Sequence, residues 1–325
     1  MGAIVLYMEE AVPAAKEIFE HHRSEDIQLF FWNELTEEEK GKVLSEANYL
    51  VAASYPITGE LMDQAPTLKM IQKTGSGTDN IDLEAAAERG IHVATTTGAN
   101  SNSVVEMTIG AAIALYRKLS LLDRLTKQGE WKMWDYRPEM YELNGKVHGV
   151  IGIGHIGRKV AEVSQAFGTT VIYYDVNRLS DQEEKERAIT YVSLEELLAQ
   201  SDVVSLHIPL LPETENLIEK KELERMKPNS ILINVARGGI VNEEDLATAI
   251  REGKILGAAL DTWASEPVNS DNPLLKLDQV LATPHVAGGT RDALDRVIGQ
   301  SFENIRRVEN GGAPKQAVEI KIANM

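Results

Sequence analysis

Short runs of β-branched and other apolar residues alternate with amphipathic segments along almost the whole chain. In the first third, the predicted strands are Ala3–Met8, Ile27–Phe31, Tyr49–Ala52, Lys69–Lys73 and Ile91–Ala94. The segments between them have helical spacing and cover Ala11–His21, Thr36–Ala47 and Leu83–Arg89. Strands that alternate with helices in this way predict βαβ units and a parallel sheet.

A second series of the same kind begins near the middle of the chain. Its predicted strands are Val147–Ile151, Val171–Tyr174, Val203–Leu206, Ile231–Val235, Leu256–Leu260 and Gln279–Ala282. Helical patterns again separate them, at Gly157–Phe167, Leu194–Ala199 and Asn242–Glu252. The two series predict an α/β protein with two doubly wound parallel sheets.

Two long helical patterns flank the second series. The first is Asn100–Gly129, with Ser103 as its predicted N-cap. Its small and apolar side chains predict a buried stripe at Val104, Thr108, Ala111, Ala112 and Tyr116. The second pattern is Asp292–Glu309, which ends before Gly311–Gly312. We predict that residues after about 293 return to the first domain, so that one domain is 1–99 with 293–325 and the other is 100–292.

Composition narrows the class of protein. Hydrophobic residues make up 43% of the 325 residues, which excludes disorder, and no apolar run reaches the length of a membrane span. The segment Met1–Met8 lacks the basic region of a signal peptide. A net charge of −17 repels nucleic acid, and the absence of cysteine excludes disulfides and thiolate chemistry. We therefore expect a cytoplasmic protein that binds neither nucleic acid nor a membrane.

A glycine-rich turn follows the strand Val147–Ile151, and residues 152–157 read Gly-Ile-Gly-His-Ile-Gly. In a dinucleotide-binding fingerprint, Gly152 permits the tight turn, Gly154 admits the pyrophosphate and Gly157 lets the helix pack on the strand. We expect this helix to begin at about Arg158. Its positive end would face the diphosphate, with the backbone of His155 and Ile156 in contact with it.

An acidic residue follows near the spacing expected for the ribose-binding acid of this fingerprint. The strand Val171–Tyr174 ends in Asp175, which lies 18 residues after Gly157. A carboxylate there binds the adenine ribose hydroxyls and repels a 2′-phosphate, so Asp175 favours NAD over NADP. Arg178 is close enough in sequence to soften that rejection of NADP.

Three further segments place polar residues where predicted strands end, which is where parallel sheets bind ligands. They contain Arg237 before two glycines, Asp261 and Glu266 after the next strand, and His285 after the last. Each residue has a plain structural interpretation as well. An arginine before Gly-Gly can cap a loop, a glutamate before proline is often solvated, and a single histidine is usually a satisfied polar residue.

Together these segments resemble the D-isomer-specific 2-hydroxyacid dehydrogenases. The resemblance extends over nearly the whole chain and includes the segments Gly75–Asp82, Ser103–Glu106 and His207–Leu210. It implies a Rossmann NAD-binding domain and a flavodoxin-like substrate-binding domain. It also implies an oxidoreductase that interconverts a small 2-oxo acid and its D-2-hydroxy acid by hydride transfer.

The resemblance implies a catalytic set of Arg237, Glu266 and His285. An imidazole can donate and accept a proton near neutral pH, which suits His285 for acid–base work on the substrate oxygen. Glu266 would stabilise the imidazolium form, and Arg237 would hold the substrate carboxylate through paired donors. The chemistry requires no metal, and we expect none.

Further roles follow from the resemblance alone. Asp261 would bind the nicotinamide carboxamide, and Ile208, Val235 and Ala236 would line the cofactor. The backbone amides of Ser76 and Gly77 would bind the substrate carboxylate. Tyr55 falls where the family places side chains that contact the rest of the substrate, although a packed loop aromatic is an equal alternative.

The substrate is left open among glyoxylate, hydroxypyruvate, phosphoglycerate and other acids. Phosphoglycerate dehydrogenases commonly carry an arginine where this chain has Ala52–Ala53, which favours an unphosphorylated acid, although Lys73 could partly substitute. Formate dehydrogenases of the superfamily usually have glutamine where Glu266 stands, so formate is disfavoured as a substrate.

Two questions concern assembly and class. Trp131 and Trp134 resemble the dimer-interface tryptophans of glyoxylate and hydroxypyruvate reductases, which implies a homodimer, although simple hydrophobic packing would also explain them. The alternative function is an NAD-sensing, corepressor-like binding protein on the same fold.

Overall fold

The computed structural model describes residues 2–319 of the chain. It divides into two compact units. The first comprises the residues up to Asn100 and those from Thr290 onward, and the second is Ser101–Gly289. Met1 and residues 320–325, which the sequence prediction assigns to the first domain, lie outside the described residues.

Strands and helices alternate through both units. The strands are β1 (Ala3–Tyr7), β2 (Ile27–Phe31), β3 (Tyr49–Ala52), β4 (Met70–Lys73), β5 (His92–Ala94), β6 (Val147–Ile151), β7 (Thr170–Tyr174), β8 (Ile189–Tyr191), β9 (Val203–Leu206), β10 (Ile231–Asn234), β11 (Gly257–Leu260) and β12 (Val280–Ala282). The helices are α1 (Pro13–His22), α2 (Glu37–Glu46), α3 (Gly59–Asp63), α4 (Leu83–Glu88), α5 (Ser101–Tyr116), α6 (Leu119–Lys127), α7 (His155–Ala166), α8 (Asp181–Arg187), α9 (Leu194–Gln200), α10 (Lys220–Leu223), α11 (Glu243–Arg251) and α12 (Arg291–Glu309). Short 3₁₀ turns cover Trp32–Glu34, Arg137–Glu139 and Pro273–Lys276.

The first unit is built on a parallel sheet of five strands in the order β2-β1-β3-β4-β5. From β1 the chain passes to β2 on one side and then to β3 on the other side of β1. The direction of winding therefore switches between β1 and β3. Helix α12 packs on this sheet, because its Val297, Ile298 and Phe302 belong to the same buried cluster as Val5 and Tyr7. The carboxyl ends of β1 and β3 therefore border the crevice that such a switch creates.

The second unit is built on a parallel sheet of seven strands in the order β12-β11-β10-β9-β6-β7-β8. Every residue of β9, β10 and β11 is buried, as expected for strands covered by helices on both faces. The switch of winding lies between β6 and β9, and the loops that follow β6, β9, β10, β11 and β12 all leave the same edge. This architecture confirms the predicted fold of two doubly wound parallel sheets.

The long helix predicted for Asn100–Gly129 is wrong in one respect, because the structure divides it into α5 and α6. The break is at Lys118, which has a left-handed backbone with φ of 50°. The carbonyl of Tyr116 accepts a hydrogen bond from the amide of Tyr141 instead of continuing the helix. Ser103 is not an N-cap either, since α5 begins at Ser101. The predicted stripe from Val104 to Tyr116 is buried, as expected.

Some short elements had no counterpart among the predictions, namely β8, α3, α8 and α10. Within residues 2–319, no helix is both long enough and apolar enough to cross a membrane.

Candidate functional site

The glycine-rich turn after β6 needs two of its glycines for steric reasons. Gly152 has a φ of 93°, and a Cβ there would lie 2.6 Å from the carbonyl oxygen of His207. A Cβ on Gly157 would lie 2.0 Å from the carbonyl oxygen of Gly152. Helix α7 therefore packs directly on the turn. It begins at His155 with Gly154 as its N-cap, so the predicted start at about Arg158 is wrong: the last glycine of the turn belongs to the first turn of the helix.

Gly154 differs from Gly152 and Gly157 in the space around it. A Cβ at Gly154 would meet no protein atom within 4 Å, and both Gly154 and His155 are exposed, while Ile156 is half-buried. The N-cap position has no side chain to satisfy the first amides of this helix. Open space in front of a helix N-terminus suits a diphosphate, so the turn fits the dinucleotide predicted from sequence.

Asp175 is fixed beside this turn. Its Oδ2 accepts a hydrogen bond of 2.8 Å from the amide of Ile153, and its Oδ1 accepts one of 2.8 Å from the amide of Asn177. A carboxylate held at the end of β7 is in the position from which the fingerprint's acid binds a ribose.

Arg178 is engaged away from Asp175. Its Nε and Nη2 donate to the Glu184 carboxylate at 2.8 and 2.9 Å, and its guanidinium lies 5.2 Å from the ring centre of Tyr191. The hydrogen bonds from Arg178, together with one from Tyr173, lower the pKa of Glu184 to about 2. Because Arg178 is bonded to Glu184, it is not directed at Asp175 or at a 2′-phosphate beside it. The structure therefore favours rejection of NADP by Asp175.

His285 and Glu266 come together at the carboxyl edge of the sheet. His285 Nδ1 lies 2.8 Å from Glu266 Oε2, and Glu266 Oε1 accepts a hydrogen bond of 3.0 Å from the amide of Trp263. A carboxylate only accepts, so Nδ1 carries the hydrogen and Nε2 is the atom that can gain or lose a proton. Within residues 2–319, Nε2 has no hydrogen-bond partner, and 48% of the side chain is exposed. The pair can therefore act on a ligand.

Asp261 holds the backbone around His285. The amide of His285 donates to the Asp261 carbonyl at 2.7 Å. The Asp261 carboxylate, which is 1% exposed, accepts from the amides of Val286 and Ala287 at 2.9 and 2.7 Å and from the Thr283 hydroxyl at 2.6 Å. These bonds secure a left-handed backbone at His285, with φ of 55°. Sequence reasoning assigned Asp261 to the nicotinamide carboxamide and missed this role as the anchor of the His285 loop.

Arg237 lies in a turn that buried Asn234 shapes. The Asn234 side chain accepts from the amide of Ala236 at 3.1 Å and donates to the carbonyl of Arg237 at 2.7 Å. Arg237 is half-buried and donates to the Ala236 carbonyl at 2.7 Å. A Cβ on Gly238 would lie 1.8 Å from the carbonyl oxygen of Trp263, so this turn packs on the loop that carries Glu266. Asn234 was missed, although a polar residue closing an apolar strand is a readable signal.

The predicted cofactor-lining residues are distributed along the same edge. Ile208 is half-buried after β9, and its Cγ2 would lie 2.6 Å from a Cβ on Gly152. Val235 is buried in the cluster beneath α5, and Ala236 is half-buried beside it in the chain. All three stay predicted cofactor contacts.

The predicted substrate contacts Tyr55, Ser76 and Gly77 belong to the first unit, and Arg237 to the second. Tyr55 is half-buried, and its ring packs edge-on against Trp32 with 5.9 Å between centroids. The Tyr55 ring thus makes the contact expected of a packed loop aromatic. Its role toward a substrate stays a prediction. Ser76 is exposed and Gly77 half-buried after β4.

Lys73, at the end of β4, is buried and bonded to its surroundings. Its ammonium donates to the Asn80 side chain at 2.8 Å and to the carbonyl of Ala53. Sequence reasoning treated Lys73 as a cation available to a phosphate, whereas the structure uses it to tie two loops together.

A second residue missed from sequence is Glu9, which follows β1. Its Oε1 accepts hydrogen bonds from three consecutive amides after β3, those of Ala53 at 2.9 Å, Ser54 at 2.6 Å and Tyr55 at 2.7 Å. No local pattern marks this contact, since Glu9 is 44 residues from Ala53 in the chain.

A pair of histidines, buried His148 and half-buried His207, lies in the second unit. His148 Nδ1 is 2.8 Å from Ser164 Oγ, and its Nε2 is 2.9 Å from Ser205 Oγ, which also bonds His207. Burial lowers the pKa of His148 to about 4 and, with the added effect of His148, that of His207 to about 3. Both are neutral at neutral pH and act as structural polar groups.

Trp131 and Trp134 follow α6, and 79% and 67% of their respective surfaces are exposed. The guanidinium of Arg137 lies 4.5 Å from the ring centre of Trp134. This exposure contradicts the alternative that simple hydrophobic packing after the long helix explains the two tryptophans.

Comparison with known proteins gives a consistent result. Residues 109–287 match the family model described as the NAD-binding domain of D-isomer-specific 2-hydroxyacid dehydrogenases. The chain is 37% identical over 273 residues to a glyoxylate reductase of Korarchaeum cryptofilum, with 83% of this chain and 82% of the relative covered. It is also 37% identical over 311 residues to a D-3-phosphoglycerate dehydrogenase of Archaeoglobus fulgidus, covering 95% of this chain but 58% of that protein.

Among solved structures, a glyoxylate reductase from Paecilomyes thermophila is similar, with a TM-score of 0.82 and 28% identity. The match covers 98% of this chain and 98% of that one. These relatives are a dehydrogenase and two reductases, and none supports the alternative of an NAD-sensing, corepressor-like binding protein.

Proposed function

Because the chain belongs to the D-isomer-specific 2-hydroxyacid dehydrogenase family, and so interconverts 2-oxo and D-2-hydroxy acids with NAD, we propose that its substrate is small and unphosphorylated. We further propose that His285 is the acid–base residue of the reaction. The observation that carries this role is the contact of 2.8 Å between His285 Nδ1 and Glu266 Oε2. This contact leaves Nε2 for the substrate oxygen.

The proposed chemistry uses these residues directly. NADH, when bound, would supply the hydride for the carbonyl carbon. In the reducing direction, His285 Nε2 donates a proton to the substrate oxygen as its negative charge develops. Glu266 stabilises the imidazolium before the transfer and keeps the ring oriented through Nδ1. In the oxidising direction, neutral His285 accepts the hydroxyl proton.

Arg237 is the proposed anchor of the substrate carboxylate. A guanidinium presents two parallel donors to a carboxylate and can also polarise the adjacent ketone. The turn made by Asn234 limits the freedom of the backbone that carries it. The amides of Ser76 and Gly77 and the side chain of Tyr55 are our proposed substrate contacts in the first unit.

The cofactor residues follow from the glycine turn. The open space at Gly154 and the first amides of α7 would hold the pyrophosphate, and Asp175 would accept from the adenine ribose. Ile208, Val235 and Ala236 are the proposed apolar contacts.

The test is a substrate panel followed by NADH absorbance, with glyoxylate, hydroxypyruvate, pyruvate and phosphohydroxypyruvate. We expect turnover of glyoxylate or hydroxypyruvate, and less with the phosphorylated acid. A protein that binds NADH yet turns over no 2-oxo acid would favour the binding-protein alternative.

We also propose a homodimer formed through α5, α6 and the exposed Trp131 and Trp134. Large apolar side chains exposed together are typical of a protein–protein interface. Sedimentation of the wild type and of Trp131→Ala/Trp134→Ala should show a dimer and a weakened dimer, and a monomeric wild type would contradict this.

Since the reaction draws on NAD(H), a cofactor kept inside cells, we propose the cytoplasm as the location of the protein.

A further inference from the structure

In the first unit, a carboxylate of the chain itself occupies a cluster of backbone amides. Glu9 Oε1 accepts from the amides of Ala53, Ser54 and Tyr55, and Glu9 Oε2 accepts from the Ser54 hydroxyl at 3.2 Å. Consecutive amides that converge on one point form an anion-binding concavity. Here the anion is supplied by the chain.

This cluster lies where the fold would receive a ligand. Glu9 follows β1 and residues 53–55 follow β3, the two strands between which the winding of the sheet switches. In doubly wound sheets with this strand order, ligands bind outside the carboxyl ends at that switch. Tyr55, a proposed substrate contact, is one of the three residues whose amides bond Glu9.

The loop that carries these amides is held firmly. Asn80 donates to the carbonyl of Tyr55 at 2.7 Å, Lys73 donates to Asn80 and to the carbonyl of Ala53, and the Tyr55 ring packs on Trp32. The loop therefore has little freedom to turn its amides toward a different anion while Glu9 is bound.

The charge of Glu9 acts on its surroundings. Burial and, after it, the negative charge of Glu9 raise the pKa of Tyr7 to about 12. Glu9 is half-buried, so its field is less screened than that of a fully solvated carboxylate. A second anion placed beside it would be repelled.

We propose that Glu9 is a specificity-determining residue that rejects substrates whose far end carries a second negative charge. The favoured class is a 2-oxo acid whose single charge is its own carboxylate, with a hydrogen, methyl or hydroxymethyl group beyond the ketone. A phosphate or second carboxylate would have to displace Glu9 from its amides or lie against it. This inference rests on the proposed function, since it concerns the substrate end that Tyr55 would contact.

The experiment compares hydroxypyruvate with phosphohydroxypyruvate, which differ by the phosphate. We measure kcat/KM with NADH for the wild type, Glu9→Gln and Glu9→Ala. The matched control is Glu10→Gln, which removes the same charge from the adjacent exposed residue. Glutamine still accepts from the amides through its carbonyl, so Glu9→Gln tests the charge with the loop contacts kept.

The wild type should prefer hydroxypyruvate. This preference should fall about 10-fold in Glu9→Gln, as expected for removal of one nearby repulsive charge, and further in Glu9→Ala, which empties the amide cluster. Glu10→Gln should keep the wild-type ratio. An unchanged ratio in both folded Glu9 variants, or a wild type that uses both acids equally, would overturn the inference.

A binding measurement separates this inference from the proposed function. Titration calorimetry with inorganic phosphate should show binding to Glu9→Ala beyond any that the wild type or Glu10→Gln shows at its other anion sites. If the wild type reduces no 2-oxo acid, the proposed function fails, and the calorimetry still decides whether Glu9 excludes an anion. Equal phosphate binding by Glu9→Ala and the wild type would overturn the inference whatever the turnover.

Discussion

Asp261 in the second unit and Glu9 in the first are both carboxylates that follow a parallel strand and accept hydrogen bonds from a loop. Asp261 is 1% exposed, and its carboxylate accepts from Thr283, Val286 and Ala287 in the loop after the neighbouring strand β12, while its main-chain carbonyl accepts from the amide of His285. Glu9 is half-buried and bonds three amides after the neighbouring strand β3. The same chemical device thus stands at the carboxyl edge of both sheets.

The difference between them is what reaches a ligand. The charge of Asp261 is buried, and the loop takes up three of the roughly four acceptor sites of its carboxylate. Its effect on a ligand is therefore indirect, through the direction of the His285 side chain. The charge of Glu9 is close to the surface, so a ligand meets the charge itself. One carboxylate therefore bears on reactivity and the other on which anions are accepted.

The largest effect should come from the residue that Asp261 positions. His285→Ala removes the proposed proton donor and should lower kcat for reduction by about 10²- to 10⁴-fold, the usual contribution of general acid–base catalysis. Steady-state kinetics with NADH and the best acid of the panel measure it. Turnover like that of the wild type would remove His285 from this role.

Acid should act on the second unit through His148. Because its folded pKa is about 4, against about 6.5 unfolded, the unfolded state binds more protons between these values. Stability is thus fully present above pH 6.5 and falls as the pH drops toward 4, by roughly 3 kcal/mol from this residue. Urea unfolding at several pH values measures this slope.

Gln in place of His148 keeps polar atoms at this buried position but does not titrate, so the stability of His148→Gln should depend less on pH across that window. The exposed His155→Gln is the matched control and should retain the wild-type slope. A wild-type slope in His148→Gln would assign the acid sensitivity to other groups.

Asp261→Asn should separate anchoring of the loop from binding of the nicotinamide. The NH₂ group of asparagine would lie against a backbone N–H, and two donors cannot bond each other. The loop should therefore shift, and kcat should fall about 10- to 100-fold. The KM for NADH should stay near the wild-type value. Asp245→Asn, which alters another carboxylate that accepts from a backbone amide, is the control. A raised KM for NADH with unchanged kcat would instead indicate contact with the carboxamide.

The smallest effect concerns the cofactor. Asp175→Ala removes the charge that repels a 2′-phosphate and an acceptor for the ribose, so the preference for NADH over NADPH should narrow by about 10-fold. The ratio of kcat/KM for the two cofactors measures it. A constant ratio would show that a different group discriminates between them.

The architecture was readable from sequence because buried parallel strands are continuous apolar runs. Strands such as Ile27–Phe31 and Val203–Leu206 have the predicted bounds. The short edge strand Ile189–Tyr191 was missed because it has few residues and follows the polar helix α8. The division of α5 from α6 was missed because a tertiary bond, from the amide of Tyr141 to the carbonyl of Tyr116, ends the first helix.

The site divides in the same way. The pairing of Glu266 with His285 follows from motifs that the sequence displays, and the structure brings the two side chains together. The contact between Glu9 and residues 53–55 joins distant segments through backbone amides, whose positions depend on strand order. Side-chain identity carries no signal for such a partner.

The left-handed backbone at His285 has a practical consequence. The hydrogen bonds that support it come from main-chain groups and the Thr283 hydroxyl, and none comes from the imidazole. The imidazole therefore contributes no hydrogen bond to the course of the chain at this position. A protein engineer could therefore replace His285 while the surrounding backbone keeps its conformation. Asparagine is the first replacement to make, because it tolerates a left-handed backbone.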